Sequence, residues 1–378
     1  MLKRIKIGIL TSIPTPYRKS QWEAYSRIEN ATFDVFYSFK VQKDRKWNFD
    51  KANGVNETFL DRFDLGKLNL EIFSFVKKYD LWIIGGYSDL TAQLLILLCR
   101  IFRIPYVVMF DGISPNKIEA KENKIKFAWK KFLVKGCFAF LGNGTVGKLY
   151  AKKLGIPDEK IYNQYLTVDI NHFLNLLDEK DKIRSKIRQD LGIAENGLVL
   201  LYVGRLIELK GIQDLIKAYS EIKEKYNDIY LVIVGFGVYE EALKKMSKDV
   251  KGIFFVGHID YPKIHEYYFS SNILVLPTYD DSWGLVVNEA MACGLPVITT
   301  TAAGANLDLV KDNGYVFNPK DTKALVDITK KYIDNPNLLS EHSKNSLKII
   351  KDFSFENSKK EIERIIKDYK YRRKIKDA

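Results

Sequence analysis

The feature that most constrains this chain is a repeated alternation of continuous apolar runs with longer helical segments. Continuous runs of this length are typical of parallel strands that are buried on both faces of a sheet. The first half carries IKIGILT, FDVFYSF, LWIIGG, PYVVMF, CFAFLG and KIYNQYL, and the second carries LVLLYVG, IYLVIVG, IFFVG, NILVLP, PVITT and GYVF. Two such alternations in succession predict an α/β chain with two doubly wound parallel sheets.

The same pattern sets the expected domain boundaries. We predict a first Rossmann-like domain over residues 1–175, a second over 176–355, and a basic C-terminal helix over 356–378 that returns to the first. Ligands bind such sheets at the carboxyl ends of their strands, so two facing domains would form a cleft there. Helices are predicted, among others, at LEIFSFVKKY, LTAQLLILLCRIF and NHFLNLLDEKDKIRSKIRQDLGI.

Composition excludes several classes of protein. The three cysteines form neither a disulfide framework nor a metal pattern, and the four histidines show no metal-ligand spacing. The apolar runs are too short for a membrane span or a signal peptide, so we expect a soluble, cytoplasmic chain. The net charge is +13, and residues 1–180 hold most of the excess. That excess fits an anionic membrane, nucleic acid, an acidic ligand or simply a lysine-rich composition.

Two cationic residues follow the first strand of the second half, in LLYVGRLIELKG. Gly204 allows a tight turn, and Arg205 and Lys210 lie five residues apart at the strand's carboxyl end. Two cations in that place suit a diphosphate, although each alone would be an ordinary surface charge.

The stretch TYDDSWGLVVNEAMACGLPVITT combines a strand end, two acids and an apolar helix predicted from about residue 283 to 293. The helix dipole and the first backbone amides favour a phosphate, and the amides in question belong to Ser282, Trp283, Gly284 and Leu285. Glu289 is placed to accept hydrogen bonds from ribose hydroxyls, and Asp281 from those of a hexose. The alternative is a helix-capping aspartate and a salt-bridged glutamate.

These motifs, together with IVGFG and FVGHI, resemble the donor domain of retaining glycosyltransferases of family 4, the glycosyl transferases group 1, which have the GT-B fold. The resemblance covers about residues 198–320. It implies that Arg205 and Lys210 hold the diphosphate of a nucleotide sugar and that Asp281 and Glu289 form the family's carboxylate pair. The family's first acid is usually glutamate, so Asp281 is one methylene shorter. Nucleobase contacts are implied near Gly257 and His258, with Gly235 in the preceding turn.

The resemblance implies a retaining, metal-independent hexosyltransferase without a cofactor. Its donor would be a UDP- or GDP-sugar, and its acceptor a hydroxyl of a lipid-linked glycan in cell-surface polysaccharide or glycoconjugate synthesis. Two alternatives remain open. One is a sugar-nucleotide epimerase or phosphorylase of the same fold, and the other is a non-catalytic protein that binds nucleotide sugars or nucleic acid; a nucleic-acid partner is not expected.

The first half would bind the acceptor. Its first strand leads into TSIPTPYRKS, where Arg18 is either a phosphate ligand or a surface arginine. Many relatives place a histidine on this side, but no histidine precedes His172. Asp111, at the end of the strand PYVVMF, is our candidate for that catalytic role, and an Asp-Gly turn is the alternative.

Two further segments attract attention. GNGTVG, at residues 142–147, has dinucleotide-binding spacing but follows a late strand, so we interpret it as a structural turn. The segment Lys121–Gly136, KENKIKFAWKKFLVKG, interleaves lysines with aromatic residues. As a helix it would either dock peripherally on the anionic inner face of a membrane or pack its apolar face on the first sheet.

Overall fold

The chain forms two compact units in a computed structural model that describes residues 4–39, 50–61 and 68–377. Unit 1 comprises residues 1–113, 118–166 and 354–378, and unit 2 comprises 114–117 and 167–353. Each unit is built around one parallel sheet, which confirms the two Rossmann-like sheets predicted from the sequence.

Unit 1 contains a seven-stranded sheet with the order β3-β2-β1-β4-β5-β6-β7. Its strands are β1 (Ile5–Thr11), β2 (Ala31–Tyr37), β3 (Asn56–Phe59), β4 (Leu81–Gly85), β5 (Tyr106–Phe110), β6 (Ala139–Gly142) and β7 (Ile161–Asn163). All six apolar runs of the first half form strands. The sequence did not predict β3, because this edge strand has no buried residue and therefore no apolar run.

The helices that follow these strands are α1 (Pro16–Ser26), α2 (Leu90–Ile101), α3 (Pro115–Glu119), α4 (Lys124–Lys135) and α5 (Gly144–Lys153). The prediction of an α-helix at LEIFSFVKKY is wrong, since this segment forms two 3-10 helices, Leu70–Ser74 and Val76–Lys78. The indole of Trp82 donates to the carbonyl of Val76 at 3.0 Å. The amides of Phe75 and Lys78 donate to the carbonyls three residues earlier, those of Ile72 and Phe75, at 3.1 and 2.9 Å, which is the 3-10 pattern.

Unit 2 contains a six-stranded sheet with the order β10-β9-β8-β11-β12-β13. Its strands are β8 (Leu198–Val203), β9 (Ile229–Val234), β10 (Ile253–Gly257), β11 (Ile273–Leu276), β12 (Val297–Thr300) and β13 (Gly314–Phe317). The chain proceeds outward from β8 in one direction and from β11 in the other. These adjacent strands therefore mark the switch point at which doubly wound sheets bind ligands.

The helices of unit 2 are α6 (Ile170–Leu174), α7 (Lys180–Leu191), α8 (Ile212–Lys223), α9 (Glu240–Met246), α10 (His265–Ser270), α11 (Leu285–Ala292), α12 (Asn306–Leu309), α13 (Thr322–Asp334) and α14 (Asn337–Ile350). The single helix predicted from residue 171 is interrupted by a 3-10 turn, Leu177–Glu179, between α6 and α7. Arg188 on α7 is fully buried and donates to the carbonyls of Ser270, Ala194, Glu195 and Gly197 and to the side chain of Asn272.

The last helix, α15 (Phe355–Asp377), belongs to unit 1. Its apolar stripe joins the core on one face of the unit 1 sheet through Ile362, Ile365, Ile366 and Tyr369. Ser358 donates to the carbonyl of Gln164 at 2.8 Å, which fixes the start of the helix beside β7. None of the described helices combines the length and hydropathy of a membrane span.

Candidate functional site

The loops that leave β8 and β9 touch through glycine. A Cβ on Gly235 would lie 1.8 Å from the carbonyl oxygen of Gly204. Gly204 and Gly235 also have φ values of +150° and +140°, which other residues rarely adopt. Arg205 follows directly and is exposed. Because the two glycines have no side chains, a ligand can approach the backbone closely at this edge of the sheet.

Lys210 and Asp281 form an ion pair across the switch point. Lys210 ends a 3-10 turn before α8, and its Nζ lies 2.5 Å from Oδ2 of Asp281. The two side chains are 14% and 18% exposed, so the pair is half-buried but still reachable. The structure therefore joins two residues that the sequence assigned to different parts of the ligand.

The loop around Asp281 is held by a neighbouring segment. The amide of Asp281 donates to Ala302 at 3.1 Å, and the amide of Gly304 donates to the carbonyl of Asp281 at 3.1 Å. A Cβ on Gly304 would lie 2.0 Å from the carbonyl oxygen of Ser282. The position of the acid is consequently fixed by backbone contacts and not by its ion pair alone.

The prediction for Trp283 requires correction. Its side chain is 1% exposed, and the indole donates to Oδ1 of Asn288 at 2.8 Å. Its backbone amide donates to Oδ1 of Asp281 at 3.2 Å. Neither group faces a ligand, so Trp283 is a core residue of unit 2. An aromatic residue beside a glycine gives no sequence signal that separates these two roles.

Helix α11 begins two residues later than predicted. Gly284 is the residue before it, with φ +95°, and Leu285 is the first helical residue. The first amides of a helix have no partner within the helix, so those of Leu285 and Val286 are the ones available to an anion. Ser282 and Leu285 are both partly exposed, which leaves this end of the helix accessible.

Glu289 lies one turn into α11 and is 8% exposed. Its Oε2 accepts a hydrogen bond from the hydroxyl of Tyr268 at 2.6 Å. Burial raises the pKa of Glu289 to about 7, which the Tyr268 hydrogen bond partly opposes. The salt bridge offered as an alternative is not found, because no cation acts on this carboxyl among the described residues. Sequence reasoning missed Tyr268, since nothing in HEYYFS marks one aromatic residue as its partner.

The end of β10 supplies the remaining predicted residues. Gly257 has φ +82°, and a Cβ placed there would meet nothing within 4 Å. Its carbonyl accepts from the amide of Gly235 at 2.8 Å. His258 is partly exposed, and its ring lies edge-on to Phe236 with centroids 5.3 Å apart. This strand end is open, and an aromatic side chain lies beside it.

Residues 183–349 match the family described as Glycosyl transferases group 1. This segment is therefore similar to the group 1 glycosyl transferases. The matched segment runs from α7 to α14 and lies within unit 2, which we call the group 1 unit. The resemblance inferred from the motifs is thereby confirmed.

Individual relatives match over part of their length. A glycosyltransferase of Methanocaldococcus jannaschii is 30% identical over 252 residues, which are 61% of this chain and 63% of that protein. The GDP-mannose-dependent monoacylated alpha-(1-6)-phosphatidylinositol monomannoside mannosyltransferase of Corynebacterium glutamicum is 29% identical over 177 residues, 45% of this chain and 46% of that protein. The chain therefore matches less than two thirds of the length of these relatives.

A solved structure agrees in fold over nearly the whole chain. Anabaena HepE, crystallised with UDP, superposes with a TM-score of 0.73 at 18% identity, covering 96% of this chain and 100% of HepE. At this identity the likeness establishes the fold, and it confirms the predicted GT-B class.

Unit 1 brings together its two predicted site residues. Arg18 on α1 is 5% exposed, and its guanidinium lies 2.8 Å from Oδ2 of Asp111, which follows β5. Gln21 accepts a second hydrogen bond from Arg18. With its amide oxygen facing the guanidinium, Gln164 accepts hydrogen bonds from both terminal nitrogens of Arg18 at 3.0 and 3.1 Å. Arg18 is therefore not a surface residue, and the 37% exposed Asp111 carboxyl is held by it.

The glycines of GNGTVG serve packing. Gly142 ends β6 and Gly147 lies in α5, and a Cβ on Gly147 would come within 2.7 Å of the Gly142 backbone. This contact explains the spacing as a close approach of strand and helix.

Proposed function

We propose that this protein is a retaining, metal-independent hexosyltransferase that transfers a sugar from a UDP- or GDP-sugar to a hydroxyl of a lipid-linked acceptor glycan in cell-surface polysaccharide or glycoconjugate synthesis. The observation that carries the proposal is the arrangement at the switch point, where Arg205, the Lys210–Asp281 pair and the start of α11 adjoin a buried Glu289. Two known proteins support the donor class. HepE was crystallised with UDP, and the mannosyltransferase is named as GDP-mannose-dependent.

The donor would bind by exchanging partners with the ion pair. Lys210 would turn from Asp281 to the diphosphate, together with Arg205 and the amides of Leu285 and Val286. The carboxylate of Asp281 would then accept hydrogen bonds from hexose hydroxyls. Glu289 would accept those of the ribose.

In the transfer step, the bond between the anomeric carbon and the phosphate oxygen breaks on the face where the acceptor oxygen bonds. The proton of the acceptor hydroxyl passes to an oxygen of the departing diphosphate. Configuration is retained because the new bond forms on the face from which the diphosphate leaves. The cationic groups stabilise the negative charge that grows on that diphosphate, which is where preorganised charge accelerates a reaction most.

The acceptor would bind to unit 1 near Asp111. The Arg18 guanidinium keeps one oxygen of this carboxyl occupied, and the other remains to orient a hydroxyl of the acceptor.

The test begins with thermal shifts of the full chain against UDP-glucose, UDP-galactose and GDP-mannose. The stabilising donor is then incubated with lipid-linked saccharides in EDTA, and NMR of the product reports the anomeric configuration. We expect a new glycosidic bond with the donor's configuration. An altered sugar nucleotide without a new bond would identify an epimerase, and binding to random DNA without turnover would overturn the proposal.

Lys210→Ala tests the diphosphate contact directly. We expect at least a hundredfold loss in kcat/KM, because a charge-assisted contact made in the transition state is removed. Lys217→Ala is the matched control, since this lysine lies on α8 with a side chain that is 60% exposed. Equal effects of the two substitutions would assign Lys210 to structure alone.

A membrane surface is proposed on α4. Ile125, Trp129 and Phe132 are spaced by four and three residues, so they share one face of the helix, and all three are exposed. Leu133 and Val134 are buried instead, which means that the core-packing alternative accounts for only part of the apolar surface. Trp129 and Phe132 stack at 5.5 Å. We call the exposed trio the α4 stripe.

Lysines flank the α4 stripe, and their charge selects an anionic membrane as the occupant. Lys124, Lys126 and Lys131 are exposed. Each lysine near an anionic surface contributes about 1 kcal/mol, so replacing these three with alanine should weaken vesicle binding about a hundredfold. The control replaces Lys182, Lys186 and Lys217. Equal sedimentation of wild type and both triple variants with phosphatidylglycerol vesicles would refute this surface.

A further inference from the structure

Glu289 and Tyr268 form a buried polar pair within the group 1 unit. Tyr268 lies on α10 with 0% exposure, and its hydroxyl donates to Oε2 of Glu289. Besides burial, this hydrogen bond is the only interaction among the described residues that acts on the pKa of Glu289. The carboxyl therefore depends on one neutral donor for its orientation.

The groups around the pair keep that donor in place. The Tyr268 ring lies edge-on to Phe173 of α6, with centroids 6.4 Å apart. Burial and the Glu289 charge raise the pKa of Tyr268 well above its usual value, so its hydroxyl stays protonated. The other titratable groups that face the carboxyl are Tyr261 before α10 and Cys293 after α11, and the pKa of each is also raised.

The remaining charged and titratable neighbours lie beside Cys293 or Tyr261. Lys180 donates to the carbonyl of Cys293 at 3.2 Å, and the charge of Asp169 contributes to the raised pKa of Tyr261. His172 on α6 stacks against its ring at 6.2 Å, and His265 on α10 lies 6.1 Å from His172. Burial lowers the pKa of His265, so this ring favours its neutral form. Within the described part of the chain, none of these groups, Lys180 included, acts on the pKa of Glu289.

We propose that Tyr268 is the positioning residue for donor binding, because its hydroxyl holds Oε2 of Glu289 and leaves Oε1 to accept the ribose hydroxyls. This inference rests on the proposed function. A protonated carboxyl cannot accept from both ribose hydroxyls as a carboxylate can. Donor binding to the protonated form therefore releases a proton to solvent, and affinity falls in acid as Glu289 becomes protonated.

Tyr268→Phe removes the hydroxyl and keeps the ring. With its only hydrogen-bond donor gone, the carboxylate is less favoured, so its pKa rises further. The probes are UDP-glucose and GDP-mannose, whose dissociation constants are measured by calorimetry from pH 5.5 to 8.5. We expect wild-type affinity to fall below about pH 7, and the variant's curve to move upward by about one pH unit with about fivefold weaker binding at pH 7.

Two controls separate positioning from structure. Tyr219→Phe removes another buried hydroxyl of the group 1 unit, one that lies within hydrogen-bond distance of the carbonyls of Ile229 and Lys251, and it should leave the pH curve unchanged. Glu289→Gln should make donor affinity nearly independent of pH. The double variant Glu289→Gln with Tyr268→Phe should differ in affinity from Glu289→Gln alone by less than twofold. A Tyr268→Phe curve that superposes on wild type would overturn the proposal.

A ligand-free readout keeps this inference distinct from the proposed function. In chains labelled with ¹³C at the glutamate carboxyl, Tyr268→Phe should raise the titration midpoint of Glu289 and Tyr219→Phe should not. If neither probe binds wild type, the proposed donor class fails. An unchanged midpoint in Tyr268→Phe would refute the role of Tyr268 by itself.

Discussion

Glu289→Gln should stabilise the group 1 unit at high pH relative to low pH. The ordinary glutamate pKa of 4.5 rises to about 7 in the folded state. Between these values the native state keeps a proton that the unfolded state releases, so stability falls as pH rises through this window. Each pKa unit corresponds to about 1.4 kcal/mol, which makes the full cost of ionisation above pH 7 about 3 kcal/mol. Glutamine carries no such cost.

The quantity to measure is the difference in unfolding free energy between Glu289→Gln and wild type. It should be about 2–3 kcal/mol larger at pH 8 than at pH 5, whatever constant offset the amide introduces. Trp283 is the one tryptophan in residues 167–353, so its ¹⁹F resonance in 5-fluorotryptophan protein follows urea unfolding of this unit. Glu241→Gln, at an exposed position on α9, is the control. A difference that stays constant within about 0.5 kcal/mol between the two pH values would refute the reasoning.

Three further predictions concern stability. Arg188→Lys should destabilise the group 1 unit by about 3 kcal/mol in urea, because an ammonium cannot serve all the acceptors of the buried guanidinium; a loss below 1 kcal/mol would contradict this. Gly147→Ala should lower the unfolding free energy of unit 1 by about 1–3 kcal/mol, because the added Cβ forces α5 away from Gly142. We expect a lower melting temperature of unit 1, and an unchanged melting temperature would show that the backbone adjusts without cost. Asp111→Asn should destabilise unit 1 more than Arg18→Met does. The first substitution leaves the buried Arg18 cation without its counterion, whereas the second leaves a carboxylate that water can reach. The reverse order of melting temperatures in calorimetry would show that Asp111 is not the counterion.

Most strands could be predicted because parallel strands covered on both faces must be apolar throughout. That requirement is local, and it also fixes which residues follow each strand end, which is why Arg205, Lys210 and Asp281 were placed at the switch point. Edge strand β3 was not predicted, because none of its residues is buried and it therefore has no apolar run. The 3-10 helices at residues 70–78 were not predicted because an apolar helical pattern does not show whether each amide bonds three or four residues back.

The candidate site divides in the same way. Motif spacing indicated Glu289 but not its partner Tyr268, which lies 21 residues away on another helix. It indicated Arg18 and Asp111 separately, and only the sheet brings residues 93 positions apart into an ion pair. Trp283 was assigned to a ligand through its backbone amide, and only the structure shows that this amide donates to Asp281 instead.

By itself, then, the sequence determined that the chain forms two parallel sheets and which chemical groups stand at the strand ends, since hydrophobic periodicity and turn glycines act over a few residues. The tertiary structure decided strand order, the residues through which α15 packs on unit 1, and the pairing of Lys210 with Asp281 and of Tyr268 with Glu289. Those outcomes depend on which surfaces meet when apolar faces are buried, and that is a property of the whole fold.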